Sequence, residues 1–298
     1  MKNKTNQEKN NQAFYLQAKK SLGQNFLNSE AIIDKISQSI DVLYDAGREK
    51  YLHEIGPGSG ALTKKLLEKN IKILAIEKDQ RAVEGLMKTL VLDYPDKLNI
   101  LNQDILQWNP IQDNNISSST KPICVGNIPY YITSDILMWF CKFKKLYSNG
   151  IFMVQKEVAD RLNAKPGTKD YGRLTVKVQL FFKVEKLFDV PAHLFVPKPK
   201  VDSAIIKLTP NLFSFADDQE DTSFGKFTTV LFSARRKMLR RALALQLQTL
   251  QQKNPKKVEE FWQLASEHNI TEESRPDTIS PIVILAFYKF FQDAGKNL

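Results

Sequence analysis

Short apolar runs and helically spaced apolar positions take turns along most of the chain. Residues 51–55, 71–77, 98–101, 123–125 and 151–154 are compact apolar runs that predict strands. Between them, residues 61–67, 81–90 and 132–143 carry the spacing of amphipathic helices. Strands alternating with helices predict βαβ units and a parallel sheet, so the fold class is α/β. Residues 184–190 and 201–208 are two further strand-like runs around a Pro-rich segment, and they predict an antiparallel pair closing the sheet. Beyond Pro210 the pattern changes. Residues 213–223 read as an acidic linker, and from Phe224 onward every apolar repeat is helical: Phe227, Val230 and Leu231, then Leu239, Leu243 and Leu247, then Phe261 and Leu264. A last apolar segment spans 282–291. The chain therefore divides into a flexible basic arm at 1–18, an α/β domain at 19–210 and a smaller all-helical domain at 211–298.

Composition narrows the class. A chain of 298 residues, 42% hydrophobic and 26% charged, suits one large domain plus a smaller one. The longest apolar stretch, residues 281–288, falls far short of a membrane span, and the Lys-, Asn- and Gln-rich start carries no secretory signal. Cys124 and Cys141 make no disulfide framework, and three well-separated histidines give neither an HExxH site nor a cluster, so no metal is expected. A reduced, cytoplasmic protein with no membrane partner is the expectation. The net charge of +10 points to a polyanionic partner. It is unevenly spread: residues 1–27 hold five Lys against one Glu, residues 28–210 hold 26 basic and 21 acidic residues, and residues 211–298 hold 12 and 11.

Candidate chemistry begins where the first long strand ends. Glu54-Ile55-Gly56-Pro57-Gly58-Ser59-Gly60 follows a strand and opens a helix, in a chain with only 12 glycines. Glycine there lets the backbone turn sharply and approach a ligand closely. The spacing is GxGxG. Ala61 breaks the dinucleotide pattern GxGxxG, no GK[ST] follows as a Walker loop requires, and Pro57 and Ala61 stand where a GxSxG elbow needs glycine. Glu77 ends the second strand, where a carboxylate can accept both ribose hydroxyls; Asp104 follows the third, where one can receive an adenine amine. A plain βα turn with two solvated carboxylates competes with this reading. The motif resembles the cofactor site of class I S-adenosylmethionine methyltransferases.

Asn127-Ile128-Pro129-Tyr130 follows the strand at 123–125, at the carboxyl edge where open α/β sheets bind ligands. An exocyclic adenine amine is a poor nucleophile because its lone pair is delocalised into the ring. Acceptors on both amine protons favour a tetrahedral nitrogen, and the Asn127 side-chain oxygen and the Ile128 carbonyl can supply two. Pro129 stiffens the turn, and Tyr130 offers a ring face for stacking. No strong general base is required, since a quaternised nitrogen loses its proton readily. Taken alone, the tetrapeptide could equally be a proline turn with its aromatic in the core.

These motifs belong to a longer ordered set. It runs from Ser21-Leu22-Gly23-Gln24-Asn25-Phe26-Leu27 through the glycine motif and Asn127–Tyr130 to Pro166-Gly167 with Tyr171-Gly172-Arg173-Leu174. Val190-Pro191, Phe195-Val196-Pro197-Lys198-Pro199-Lys200-Val201-Asp202-Ser203 and Phe232-Ser233-Ala234-Arg235-Arg236-Lys237 follow, with Arg275-Pro276-Asp277 a looser match. Together they resemble the KsgA (RsmA) family of small-subunit ribosomal RNA adenine dimethyltransferases over most of the chain. The resemblance implies a Rossmann-like, seven-stranded methyltransferase sheet in 19–210 and an RNA-binding helical domain in 211–298. It implies dimethylation of two adjacent adenosines in the 3′-terminal hairpin loop of small-subunit (16S) rRNA during ribosome biogenesis, with S-adenosylmethionine as donor and S-adenosylhomocysteine as product. Asn25, Leu27, Gly56, Gly58, Glu77, Asp104 and Asn127 fall on cofactor-contacting positions. Asn127, Ile128 and Tyr130 fall on the target-base motif, and Phe195 on a Phe placed against that base. A monomer is the expected state.

Cations supply the expected RNA contacts. Lys19 and Lys20 flank the arm, and Arg235, Arg236, Lys237, Arg240 and Arg241 put five cations into seven residues of an expected helix. On one helix, Arg236 with Arg240 and Lys237 with Arg241 share a face and repel by about a few tenths of a kcal/mol per pair, which phosphates would relieve. A solvated helix is the plain alternative. Three rival functions are an Erm-type methylase of large-subunit rRNA, a DNA adenine methyltransferase and a non-enzymatic assembly factor. Residues 57–59 and 232–237 argue against the first, Asn127 in place of an acidic residue against the second, and retention of Asn127, Tyr130 and Glu77 against the third.

Overall fold

A computed structural model describes residues 17–19, 22–45, 47, 49–117, 120–233 and 235–296. The elements begin with β1 (Phe26–Leu27), α1 (Glu30–Asp41), β2 (Tyr51–Ile55), α2 (Ala61–Glu68), β3 (Lys72–Glu77), α3 (Gln80–Lys88), α4 (Leu90–Asp93) and β4 (Leu98–Asn102). Next come β5 (Ile123–Asn127), α5 (Thr133–Phe143), β6 (Asn149–Gln155), α6 (Lys156–Leu162), α7 (Arg173–Phe181), β7 (Phe182–Val190), β8 (Phe195–Val196) and β9 (Ser203–Pro210). The chain closes with α8 (Asp218–Ser233), α9 (Leu239–Ala242), α10 (Ala244–Lys253), α11 (Pro255–Glu267) and α12 (Pro281–Lys296).

Seven strands form one sheet in the order β4-β3-β2-β5-β6-β9-β7, and β1 pairs with β8 in a separate ribbon. β2 lies between β3 and β5, parallel to both, and β9 runs antiparallel to β6 from Gly150↔Leu208 to Gln155↔Ser203. The strand order reverses at β2, which opens a crevice at the carboxyl ends of β2 and β5, where such sheets bind ligands. All five β2 residues are buried, as a central parallel strand covered on both faces requires. Leu52 packs in the main core with Ile73, Ile123, Ile151 and Ile205, covered by Ile36 and Ile40 of α1 and Leu66 and Leu67 of α2.

His53 of β2 sits fully buried in a polar network. Its Nε2 lies 2.8 Å from Asp113 Oδ2 and its Nδ1 3.1 Å from the Tyr147 hydroxyl, while the Tyr51 hydroxyl donates to the same Asp113 oxygen at 2.7 Å. A neutral imidazole satisfies both contacts by donating from Nε2 and accepting at Nδ1. Burial holds His53 below its ordinary value against the pull of Asp113. Burial works to raise Asp113, but hydrogen bonds from His53 and Tyr51 hold it well below the carboxylate range. Both groups therefore bind protons more readily in the unfolded chain. Their stabilisation is complete above about pH 6.5, declines as His53 would protonate, and falls further below about pH 4 as the Asp113 contribution is lost. The thermal midpoint, followed by calorimetry, is expected to drop between about pH 7 and pH 5, and His53→Gln to flatten that slope. An unchanged slope in the variant would contradict this.

Contacts divide the chain into two units, Met1–Lys156 with Leu187–Leu208, and Glu157–Lys186 with Thr209–Leu298. The helical unit thus includes residues 157–186, which a boundary at 211 leaves out. The reason is tertiary: Tyr171 is buried and its hydroxyl donates to the Ile279 carbonyl at 2.8 Å, and the Gly167 N–H donates to the Asp277 carbonyl at 2.7 Å. Residues 213–223 are not a linker either. Phe213 and Phe215 pack against Phe181, and the Glu220 N–H donates to Asp217 Oδ1 at 2.7 Å, so the acidic run caps the start of α8.

The basic stretch is not one helix. α8 ends at Ser233, Arg235–Lys237 form a turn, and only Arg240 and Arg241 lie in the four-residue α9. The pairs Arg236/Arg240 and Lys237/Arg241 therefore share no continuous helical face. Met238 leaves the helical region, with φ −60° and ψ 146°, and the Leu239 and Arg240 N–H groups donate to the carbonyls of Ser274 and Glu272 at 2.7 and 3.1 Å. These long-range bonds replace the continuation of α8. Among the described residues no helix is long and apolar enough to cross a membrane, and no group of three His, Cys, Asp or Glu is placed to hold a metal ion.

Candidate active site

The crevice is lined by the glycine turn, the ends of β3 and β5, and the segment Leu22–Leu27. Gly56, Gly58 and Gly60 all take positive φ, at 64°, 58° and 81°. A Cβ on Gly56 would meet nothing within 4 Å, so its bare backbone faces open space in the cleft, whereas one on Gly60 would lie 2.5 Å from Leu86. The alternating glycines thus differ in use: Gly56 leaves bare backbone facing the cleft, and Gly60 lets α3 pack closely.

Glu77, at the end of β3, is buried and accepts the N–H groups of Gly58 at 3.1 Å and Asp79 at 2.8 Å. Burial pushes its carboxyl upward, opposed by those two bonds. A carboxylate offers about four lone-pair sites, so two remain for hydroxyl donors. Asp104 accepts from the Lys78 ammonium at 2.7 Å and from the Leu106 N–H at 3.0 Å. Partial burial opposes ionisation there, but Lys78 and Leu106 hold the carboxyl below its ordinary value.

Glu54, which the sequence reading left without a role, lines the same cleft. It is buried, its Oε2 has no hydrogen-bond partner, and burial pushes its carboxyl up to about 7. An orphaned buried carboxylate in a cleft is satisfied by a cationic ligand group. A glycine turn with bare backbone in the cleft, a buried carboxylate with acceptor sites left over and an unpartnered acid together fit S-adenosylmethionine, which carries an ammonium, a sulfonium and a nucleoside.

The amino-terminal segment forms part of the cleft wall through bonds distant in sequence. Gln24 Nε2 donates to Asp79 Oδ2 at 3.0 Å, and Arg81 donates to the same carboxylate through Nη2 at 2.6 Å. The Arg81 guanidinium holds Asp79 down to about 2. The Lys19 N–H donates to Gln24 Oε1 at 2.9 Å, and its ammonium lies 3.9 Å from Asp79. Lys20 and residues 1–16 of the expected basic arm lie outside the described residues. Leu27 pairs with Phe195 across the β1–β8 ribbon.

Asn127 ends β5, and its Nδ2 donates to the Asn25 backbone carbonyl at 3.0 Å. That bond orients the amide and leaves Oδ1 as an acceptor. The Ile128 N–H donates to the Met153 carbonyl at 3.1 Å, fixing the peptide whose own carbonyl follows. Tyr130 is half-buried, and its hydroxyl shares a 2.7 Å hydrogen bond with Ser203 Oγ. Phe195 differs from expectation: it is 2% exposed in the main core and does not line the cleft, because the β1–β8 pairing turns it into the protein. Tyr131, not singled out from the sequence, lines the cleft and is 59% exposed. Its ring packs so closely on Gly23 that a Cβ there would approach to 2.9 Å.

Of the cations in the helical unit, Arg236, Lys237, Arg240 and Arg241 are exposed. Arg235 is half-buried and donates to the carbonyls of Lys169 and Tyr171 at 3.2 and 3.3 Å, a structural use of its charge. Arg240 lies 3.8 Å from Glu272.

A seven-stranded sheet of this order, with a glycine turn, a β3 carboxylate and an Asn-Ile-Pro-Tyr edge at one cleft, defines a class I S-adenosylmethionine-dependent methyltransferase. The family model described as "Ribosomal RNA adenine dimethylase" matches residues 15–286. The chain belongs to that family. Proteins named "Ribosomal RNA small subunit methyltransferase A" are 35% identical over 289 residues in Halothermothrix orenii, covering 95% of this chain and 93% of that one. The relative of the same name in Enterococcus faecalis is 40% identical over 223 residues, 74% of each chain. A crystal structure of a dimethyladenosine transferase from Plasmodium falciparum superposes with a TM-score of 0.73 at 26% identity, covering 91% of this chain and 98% of that one. The 23S rRNA methyltransferase ErmE, at 23% identity and TM-score 0.64, covers 90% of this chain and all of its own and shares the fold.

Proposed function

We propose that this chain dimethylates the exocyclic amines of two adjacent adenosines in the 3′-terminal hairpin loop of small-subunit rRNA, during assembly of that subunit in the cytoplasm, acting as a monomer. The observation that carries the reading is the anchored Asn127 amide, which presents Oδ1 as an acceptor beside the Ile128 carbonyl. Two acceptors on one amine draw its protons out of the ring plane and localise the lone pair on nitrogen. Tyr130 gives the base a face to stack on. Glu77 and Asp104 would hold the ribose and adenine of the cofactor, Glu54 its cationic end, and the backbone at Gly56 its close approach, while Gly58 packs on Phe26 and donates its N–H to Glu77. Asn25 and Leu27 would close the cleft over it. S-adenosylmethionine supplies an electrophilic methyl group when bound. A nitrogen that has received that methyl is cationic and sheds its proton to solvent, so no buried base is needed.

The names carried by relatives favour the small subunit over the large one. The test uses purified protein, labelled S-adenosylmethionine and both ribosomal subunits from a strain lacking the gene. Label recovered as dimethyladenosine in small-subunit rRNA supports the reading; label in large-subunit rRNA, or binding without transfer, overturns it. Arg236, Lys237, Arg240 and Arg241, with Lys19 and Lys20, are the proposed phosphate contacts, whereas the Arg235 side chain is taken up internally. Charge reversal at Arg236 and Arg240 is expected to raise KM for small subunits about tenfold and to flatten its salt dependence, with cofactor affinity unchanged. An unchanged KM would remove the cluster from the interface.

A further inference from the structure

The segment Pro199-Lys200-Val201-Asp202-Ser203 has no role in the reading above, yet its last residue touches the target-base motif. Ser203 is fully buried at the start of β9, and its Oγ lies 2.7 Å from the Tyr130 hydroxyl. Its backbone is fixed by register with Gln155 at the end of β6. Asp202, just before it, is held as well: its carbonyl accepts the Lys156 N–H at 2.9 Å, and its Oδ1 accepts the Ala192 N–H at 2.9 Å. The other end of Tyr130 is also tied down, since the Thr133 hydroxyl reaches the carbonyls of Pro129 and Tyr130 at 3.3 and 3.2 Å. The ring is thus pinned at its backbone by the first residue of α5 and at its hydroxyl by the first residue of β9.

We infer that Ser203 is a positioning residue that sets the pitch of the Tyr130 ring, and through it the height of the stacked adenine over the Asn127 and Ile128 acceptors. The inference rests on the functional reading given above. A stacked base turns with the plane beneath it, so a tilt of the ring moves the exocyclic amine away from both acceptors at once. Alignment errors of this kind reduce the chemical step more than they reduce binding. The bond is also self-contained on the buried side: removing the Tyr130 hydroxyl leaves the fully buried Ser203 hydroxyl without this partner, whereas removing both leaves no orphan.

A double-mutant cycle of Ser203→Ala, Tyr130→Phe and the pair, assayed on small ribosomal subunits, tests this. Each single change is expected to lower kcat about tenfold, with KM for subunits changed less than threefold and cofactor affinity by calorimetry unchanged, and the double variant to be no slower than the slower single one. Wild-type kcat in Ser203→Ala, or single losses that multiply in the double variant, would overturn the inference. A crystal structure of Ser203→Ala gives an arm independent of substrate: a displaced Tyr130 ring supports the role, and an unmoved ring refutes it. Wild-type protein that labels no small-subunit rRNA would sink the functional reading alone, leaving that structural arm to judge Ser203.

Discussion

Replacing Asn127 with Ala is expected to lower kcat on small ribosomal subunits by about 10²- to 10³-fold, the usual cost of removing one preorganised polar partner from a reacting centre. The geometry also separates two substitutions that sequence alone would treat alike. Asn127→Asp keeps an acceptor oxygen but loses the amide hydrogens that bind the Asn25 carbonyl at 3.0 Å, and sets a carboxylate against that carbonyl. Repulsion would swing the acceptor away from the amine, so Asp is expected to rescue little. Single-turnover transfer with saturating cofactor measures both variants. Retention of more than about a tenth of wild-type kcat in Asn127→Ala would show that this amide does not orient the nucleophile.

The second large effect is on cofactor affinity. Glu77→Ala removes the two oxygens that accept from Gly58 and Asp79 and leaves those N–H groups without partners beneath the glycine turn. The Kd for S-adenosylmethionine is expected to rise about 100-fold by calorimetry, from the lost hydroxyl bonds and the loosened turn together. Glu77→Gln should recover part of the loss: its amide oxygen can accept one N–H, but its amide nitrogen meets the other donor. A Kd within about threefold of wild type for Glu77→Ala would place the nucleoside elsewhere.

The parallel strands were legible because burial on both faces writes them as uninterrupted apolar runs, and the βαβ alternation then leaves few topologies. The positions of Glu77, Asp104 and Asn127 followed from that, since each stands at or just beyond the carboxyl end of a strand. What local pattern could not reveal is which residues from far apart in the chain meet. The pairing of Gln24 and Arg81 on Asp79 and the seating of Phe195 in the core depend on contacts that no periodicity records. Glu54 was hidden for another reason. Inside an apolar strand an acidic residue looks like an exception to the pattern, and only its place in the cleft lining with an unpartnered Oε2 sets it apart. The five clustered cations misled by proximity, because a helical reading of residues 235–241 ignores the donors that Ser274 and Glu272 draw out of the helix.

The ribbon joining Leu27 to Phe195 bears on the order in which the protein can become competent during its own synthesis. β1 leaves the ribosome early, but its hydrogen-bonding partner β8 emerges only after the strands from β2 to β7. Until then the segment carrying Asn25 lacks its anchor on that side, and the closure entropy of so long a loop opposes its settling against Asn127. The wall of the cofactor cleft is therefore among the last parts to be completed, and a growing chain passes most of its synthesis with the sheet forming and the enzyme still unassembled.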